Sequence, residues 1–231
     1  MSQIIERNLQ LVMLPFPAKN RQFATYYARA AKCWETVWLQ LYDQHKIEQP
    51  LFLDHLLRQD EAAAIFTPKE CVGMILFRTV DFSILDYKHD SYFKEWTPDD
   101  LELLLAHGTR AFLATFLTVH PNFRHFSDEF KFKEVLLDTM VKRFKMSDAD
   151  VISGITRRDR GIHDESYKLG ARLVHENVDY MGGRFQVDLV AFYRSEAVES
   201  ANPKVREISD RIWQNRLDVT QEMPLRRLKV A

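Results

Sequence analysis

Hydrophobic positions along this chain switch between helical and strand periodicity, and the order of the switches predicts a mixed α/β fold. From Ala18 to about residue 42 apolar residues recur at steps of three and four, which is typical of a helix with one face on a core. Two apolar runs at 61–66 and 71–78 flank a polar, proline-containing tetrapeptide and predict a β-hairpin. Gly73 within the second run predicts a bulge or a close backbone approach. The apolar face of the helix predicted from Ala18 to about residue 42 comprises Phe23, Tyr26, Tyr27, Ala30, Ala31, Trp34, Val37, Trp38, Leu41 and Tyr42.

Residues 80–96 are aromatic without a period, so we expect a long packed or functional loop there. A helix should begin after Thr97, which is a good N-cap. Pro98 suits the first helical position, and the two aspartates that follow favour the positive end of a helix. We expect this helix to end at Gly108, because glycine commonly terminates helices.

The pattern from residue 110 to 173 predicts a strand, a basic loop, a helix, a second strand and a short helix. An apolar run at 111–119 precedes the turn at His120, and a helix-period segment leads to a second strand at 151–155. This order can hold a phosphate-bearing ligand beside two parallel or splayed strands. A further strand at 185–193 completes the predicted sheet, and a terminal helix should begin at Asn202.

Composition narrows the class of protein. The chain has 231 residues, 46% of them hydrophobic, with a formal net charge of −1, which fits one large domain with a sizeable core. This balance gives no electrostatic reason to expect nucleic acid or an anionic membrane as partner. Cys33 and Cys71 lie in apolar patterns and are expected to be buried thiols in a reducing compartment. We find no signal peptide and no membrane-spanning run, and expect a cytoplasmic protein.

Four segments in the same order resemble the GNAT superfamily of acyl-CoA-dependent N-acyltransferases. These are the strand around Gly73, residues 117–124 (LTVHPNFR) against a strand ending V-x-P-x-x-R, residues 166–171 (SYKLGA) against L-Y-x-K-L-G-F, and the closing strand at 187–194. The resemblance covers residues 20–195. It implies an α/β (α+β) fold with a mixed, splayed central sheet flanked by helices. Residues 1–200 would form that domain, and residues 201–231 a C-terminal helical extension, with a solvated basic end, packed on the domain or on a partner.

The same resemblance implies a site. Its chemistry moves an acyl group from a thioester to an amine, with an acid that protonates the leaving thiolate, and Tyr167 stands where that acid is expected. The backbone of Leu117 and Val119 would pair with the pantetheine amides as an added strand does. His120 is the first candidate for taking the proton of the amine. Asp150 and Ser153 are further candidates.

The phosphate-binding loop departs from the family pattern R-G-x-G-x-G/A. Residues 125–133 contain no glycine and include two acidic residues. In one interpretation Arg124, Lys131 and Lys133 hold the phosphates of an acyl-CoA, acetyl or longer. In another the donor is an acyl carrier protein, as in GNAT-like N-acyl amino acid and acyl-homoserine lactone synthases, and the aromatic loop at 80–96 covers the acyl chain. In a third interpretation the chain is a non-catalytic GNAT-like binding or sensor module.

The remaining candidates are weaker. The acceptor is expected to be a small-molecule amine or an amino acid, and a homodimer is left open. Arg157, Arg158 and Arg160 form either a solvated loop or a site for a carboxylate or phosphate. His125, His163 and His175 have no metal-ligand spacing, so we expect no metal site.

Overall fold

The computed structural model describes residues 2–18, 20–84 and 86–220, and the predicted basic end near residue 225 lies outside them. Its helices are α1 Ser2–Arg7, α2 Ala24–Gln44, α3 Asp54–Leu57, α4 Pro98–Leu104, α5 Phe132–Met146, α6 Ile162–Lys168 and α7 Pro203–Gln214. Its strands are β1 Gln10–Pro15, β2 Glu61–Phe66, β3 Cys71–Asp81, β4 Arg110–Val119, β5 Val151–Arg157, β6 Arg172–Tyr180, β7 Phe185–Tyr193 and β8 Leu217–Asp218.

The strands form one mixed sheet in the order β6-β7-β5-β4-β3-β2-β1-β8. The pairs β4–β5 and β1–β8 are parallel and the other neighbours are antiparallel. Strands β4 and β5 pair only from Ala111 opposite Val151 to Ala114 opposite Gly154. Both strands continue beyond that point without pairing to each other. The predicted mixed, splayed sheet flanked by helices is therefore confirmed.

Helices cover the sheet on two faces. Helix α5 buries one face of the sheet together with α7, whose apolar positions Val205, Ile208 and Ile212 are buried in the same core. Helix α2 covers the opposite face of β2 and β3, and the segment between β3 and α4 extends that cover towards β5 and β7. The separation of β4 and β5 thus lies between two well-packed layers.

Local sequence signals account for several of these elements. Strands β2 and β3 form the predicted hairpin. Thr97 caps α4, since its hydroxyl accepts from the backbone of Asp100, whose carboxylate accepts in return from Thr97. At Gly73 a Cβ atom would come within 2.5 Å of the carbonyl oxygen of Thr118, so the predicted close approach is confirmed. Residues 80 and 81 still belong to β3, and the described residues from 82 to 96 form a long loop with two short 3-10 turns.

Other boundaries differ from the prediction. Helix α2 begins at Ala24 and not at Ala18, because Asn20 caps a separate 3-10 turn at Arg21–Phe23. Strand β8 was not predicted, because a two-residue strand carries no periodicity. No helix of the described residues is long and apolar enough to cross a bilayer. Within residues 201–220, α7 packs on α5 and β8 pairs with β1. The division of the chain at residue 200 stays a prediction.

Candidate active site

A bulge in β4 marks the end of regular pairing beside the splay. The register of β3 against β4 shifts between Met74 and Leu76, and Phe116 has a φ of 51°. This left-handed conformation costs a bulky residue about 1–2 kcal/mol. The hydroxyl of Thr118 donates to the carbonyl oxygen of Phe116 at 2.6 Å, and the indole N–H of Trp38 donates to Thr118 Oγ1 at 3.0 Å. Helix α2 therefore holds the bulge in place.

A cavity of about 1000 Å³ occupies the gap between β4 and β5 and reaches both faces of the sheet. Five residues predicted for donor binding line it: Leu117, Val119, Arg124, Lys131 and Lys133. The wall towards α5 is apolar and includes Ile75, Phe132, Leu137, Met140 and Phe192. Cavities with apolar walls and a few polar groups are typical small-molecule sites, and an alkyl chain fits such a wall.

The loop that replaces the glycine pattern is filled by aromatic rings. Phe123, Phe126, Phe130 and Phe132 contact one another, with ring centroids 5.3–6.3 Å apart. Each ring buries a large apolar area, so this cluster fixes the loop by packing and not by bare backbone. The phosphate-facing backbone of a glycine loop is thus replaced by side chains.

The three predicted cations already have partners within the protein. Arg124 Nε donates to the carbonyl oxygen of Val119 at 3.2 Å. Lys131 Nζ donates to the carbonyl of Ser127 at 2.7 Å, and Lys133 Nζ to that of Arg160 at 3.0 Å. Backbone carbonyls do not neutralise these side chains, so their positive charge remains available to an anion at the rim of the cavity.

The N-terminus of α5, where a pyrophosphate would be expected, carries an internal anion. Glu134 Oε2 accepts from the backbone N–H of Lys131 at 3.3 Å. Burial raises the pKa of Glu134 above its ordinary value. A carboxylate at this position competes with a phosphate for the same helix terminus. The residues therefore fit a pantetheine arm along the open strand better than they fit a pyrophosphate.

Tyr167 lies in α6 but does not line the cavity. Its hydroxyl donates to Asp188 Oδ2 at 2.7 Å. Asp188 is 1% exposed and also accepts from Arg158 Nη1 at 2.8 Å and from the backbone of Asn177 at 3.0 Å. Burial, and then the hydrogen bond and charge of Asp188, raise the pKa of Tyr167. Burial pushes the pKa of Asp188 upward, but the donors around it, Tyr167 first, hold it below its ordinary value.

Ser166, the preceding residue, does line the cavity. It is 1% exposed, and its buried hydroxyl has no hydrogen-bond partner among residues 2–18, 20–84 and 86–220. The spacing to Gly170 could have drawn attention to Ser166. In the pattern L-Y-x-K-L-G-F the tyrosine precedes the glycine by four positions. Here Tyr167 precedes Gly170 by three and Ser166 by four.

The predicted proton acceptor His120 lies outside the cavity lining, and its Nδ1 accepts from the backbone of Asn122 at 3.4 Å. Asp150 accepts from the backbone N–H of Arg110. Two other histidines line the cavity, His55 and His125. The ring of His55 lies 5.9 Å from that of Phe116, at the bulge. Sequence reasoning missed His55, because nothing in its short helix suggested a site.

The face of the cavity under α2 is polar. The Thr115 hydroxyl donates to Gln59 Oε1 at 3.1 Å, and Arg78 Nη2 donates to Asp90 Oδ2 at 2.8 Å. Tyr92, from the long loop, shares a hydrogen bond of 3.0 Å with Ser153 on β5. The long loop therefore forms a wall of this side of the cavity.

The predicted arginine cluster is internally paired. Arg157 binds Asp159 and lies 4.0 Å from the ring centroid of Phe185, while Arg158 binds Asp188. Arg157 and Arg160 line the cavity and Arg158 does not. The described part of the chain has no group of three or more histidine, cysteine or acidic residues arranged to hold a metal ion.

Solved structures share this architecture. No protein-family profile and no curated protein sequence matches the chain. FeeM, an N-acyl amino acid synthase from uncultured soil microbes, is similar with a TM-score of 0.55 and 13% identity, over 82% of this chain and 93% of that one. The acyl-homoserine lactone (AHL) synthase LasI is similar with a TM-score of 0.51 and 8% identity, over 80% and 90%. ElaA of Escherichia coli has a TM-score of 0.50 and 13% identity, over 80% and 99%. The chain has the fold of the GNAT N-acyltransferases.

Proposed function

We propose, starting from this GNAT fold, that the protein transfers an acyl group from a phosphopantetheine thioester to an amine. The observation that carries the proposal is the cavity of about 1000 Å³ in the gap between β4 and β5, with Leu117 and Val119 in its wall. A strand edge without a neighbour can pair with the amides of pantetheine as it would with an added strand. FeeM and LasI, both named as synthases, have this fold.

The reaction follows from the chemistry of a thioester. The neutral amine nitrogen attacks the carbonyl carbon, the C–S bond breaks, and the products are an amide and a free thiol. The nitrogen loses one proton and the sulfur gains one. A base near the nitrogen and a hydrogen-bond donor near the sulfur each lower the barrier.

Two hydroxyl groups compete for the donor role. Tyr167 stays a prediction, although its hydroxyl already donates a hydrogen bond to Asp188. Ser166 lines the cavity and its buried hydroxyl has no partner among the described residues, which supports it as the second candidate for the group that donates to the thiolate sulfur. For the base, His120 stays a prediction, and His55 is the competitor that lies in the cavity wall.

For the donor, two observations favour a carrier protein. The aromatic loop and the Glu134 carboxylate leave a poorer pyrophosphate site than a glycine loop would. A carrier protein presents phosphopantetheine with a single phosphate and contributes its own docking surface. The apolar wall formed by α5 and β7 suits an acyl chain longer than acetyl. A long-chain acyl group on a carrier protein is therefore the favoured donor, and acyl-CoA is the alternative.

The test combines binding with turnover. Thermal shifts are measured with acetyl-CoA, decanoyl-CoA and decanoylated acyl carrier protein, and thiol release is then followed with a panel of amines. The proposal expects stabilisation by a decanoyl donor and amine-dependent release of thiol. Stabilisation without release with any amine would indicate a binding module. No stabilisation and no release with any thioester would refute the proposal.

A further inference from the structure

We propose that the acceptor of this reaction carries a carboxylate beside its amine, and that Arg78, with Arg58, binds that carboxylate. The inference rests on the proposed function, because it assigns the second substrate of the same cavity. The candidate acceptor class is a free amino acid.

The position of Arg78 makes it part of the acceptor side. On β3 it pairs in register with Leu113, one residue before β4 and β5 separate at Ala114. The predicted donor cations lie beyond Val119. At about 3.3 Å per residue, roughly 20 Å of strand separates these two places. Arg78 is therefore too distant to contact the phosphate of a donor whose pantetheine follows β4.

Arg78 is built into the cavity wall and still accessible from it. Its side chain is 24% exposed and that of its partner Asp90 is 19% exposed. Asp90 is itself held, because its Oδ1 accepts from the backbone of Tyr92 at 2.9 Å. The contact with Asp90 uses one of the five N–H groups of a guanidinium, which is a geometry that leaves other donors for a second carboxylate. An arginine fixed in this way binds planar anions with little loss of entropy.

Arg58 adds a second positive charge. It lines the same cavity, and its charge acts on Asp90. Its own partner Asp54 is on the surface, where the two side chains are 51–56% exposed. Ion pairs of this kind contribute little, so Arg58 can turn towards a ligand at small cost. Each arginine has one aspartate as partner, Asp90 for Arg78 and Asp54 for Arg58, so a carboxylate would be bound by the guanidinium N–H groups that remain free and not by a net charge of the wall.

A simple amine should fit this wall less well. An acceptor without a carboxylate would bring its ammonium group towards two guanidinium groups and would leave their free N–H groups without an acceptor. An amino acid supplies the opposite charge at one end and the nucleophile at the other. The difference in binding affinity between an amino acid and the matching amine therefore measures the contribution of the carboxylate.

The experiment uses the full chain and matched pairs of ligands: L-leucine with isoamylamine, L-phenylalanine with phenethylamine, and L-phenylalanine amide. Binding is measured by calorimetry without donor, so that the result does not depend on turnover. Arg78→Gln, Arg78→Lys and Arg58→Gln are compared with Arg206→Gln, an exposed arginine on α7. We expect at least one amino acid to bind at least tenfold more tightly than its amine or amide.

Arg78→Gln should reduce that discrimination at least tenfold, and Arg78→Lys should retain part of it. Arg206→Gln should leave the ratio of the two affinities unchanged. An effect on folding alone would weaken amines and amino acids equally, so the ratio separates recognition from structure. Equal binding of amines and amino acids by the wild-type protein, or a ratio unchanged by Arg78→Gln, overturns the inference. If no thioester supports transfer, the proposed function fails on its own, whatever the binding ratio. If transfer occurs without preference for carboxylates, only this inference fails.

Discussion

The adjacent hydroxyls of Ser166 and Tyr167 should respond to removal in opposite ways. Tyr167→Phe removes a donor to the buried carboxylate of Asp188 but keeps the ring in place. Hydrogen bonds to charged groups contribute about 1.5–3 kcal/mol. For a protein of this size 1 kcal/mol corresponds to about 2–4 °C, so the melting temperature should fall by about 3–12 °C.

Ser166→Ala removes a buried hydroxyl that has no partner among the described residues. The free energy of unfolding should therefore change by less than about 0.5 kcal/mol or increase slightly, because no bond is lost and a desolvated polar group is removed. Thiol release should nevertheless fall, since Ser166 lines the cavity and is proposed as the donor to the thiolate sulfur. The two variants thus separate stability from turnover at neighbouring positions.

Urea denaturation followed by tryptophan fluorescence gives the free energies. A change of midpoint at constant slope identifies a change of stability. A double-mutant cycle of Tyr167→Phe with Asp188→Asn then isolates the coupling between the two side chains. If Tyr167→Phe leaves the midpoint unchanged and lowers turnover a hundredfold, the reasoning from geometry is refuted and Tyr167 is the acid.

Three further predictions test other parts of the fold. Lys142→Met should lower the free energy of unfolding, measured by urea denaturation, by about 3–5 kcal/mol. The reason is that the variant leaves Asp138, which is 0% exposed, without its nearby ammonium group. The control is Lys145→Met, at an exposed side chain 3.7 Å from Glu199, which should lower it by under about 1 kcal/mol. The lowered pKa of Asp188 adds stability above its unfolded pKa of about 4, which is lost as the pH falls through the lower folded value; stability curves against pH should therefore be flatter below about pH 4 for Asp188→Asn, and parallel curves would contradict the assignment. If His55 takes the proton of the amine, His55→Gln should lower kcat by about 10²–10⁴-fold and His120→Gln should not, and the reverse result would favour His120.

Sequence reasoning found the fold because several independent signals agreed. The periodicity of α2, the cap at Thr97 and the hairpin tetrapeptide each depend on neighbours in sequence, and each was confirmed. The splay between β4 and β5 followed from the resemblance, and it was confirmed by the end of pairing at Ala114 and Gly154.

The site was harder to predict, because its residues meet only in three dimensions. His55 lies on a one-turn helix and Arg78 in a buried strand, and neither pattern suggests a cavity. Tyr167 was the tyrosine nearest to the expected position, but Asp188, twenty-one residues away, binds its hydroxyl. A shift of one residue rotates a helical side chain by about 100°, and of these two neighbours Ser166 lines the cavity and Tyr167 does not.

The loop before α5 is the feature from which we propose a carrier protein as the donor. A glycine loop binds pyrophosphate because bare N–H groups converge on it and the helix N-terminus adds positive potential. In this chain the phenylalanine cluster occupies the loop, and Glu134 occupies the helix terminus. Arg124, Lys131 and Lys133 still supply charge at the rim. Charge without a shaped cradle suits an anion positioned by other contacts, such as the single phosphate of a phosphopantetheine arm whose carrier protein docks beside the cavity. Replacing Glu134 by Gln should then improve binding of acyl-CoA more than binding of the acylated carrier protein.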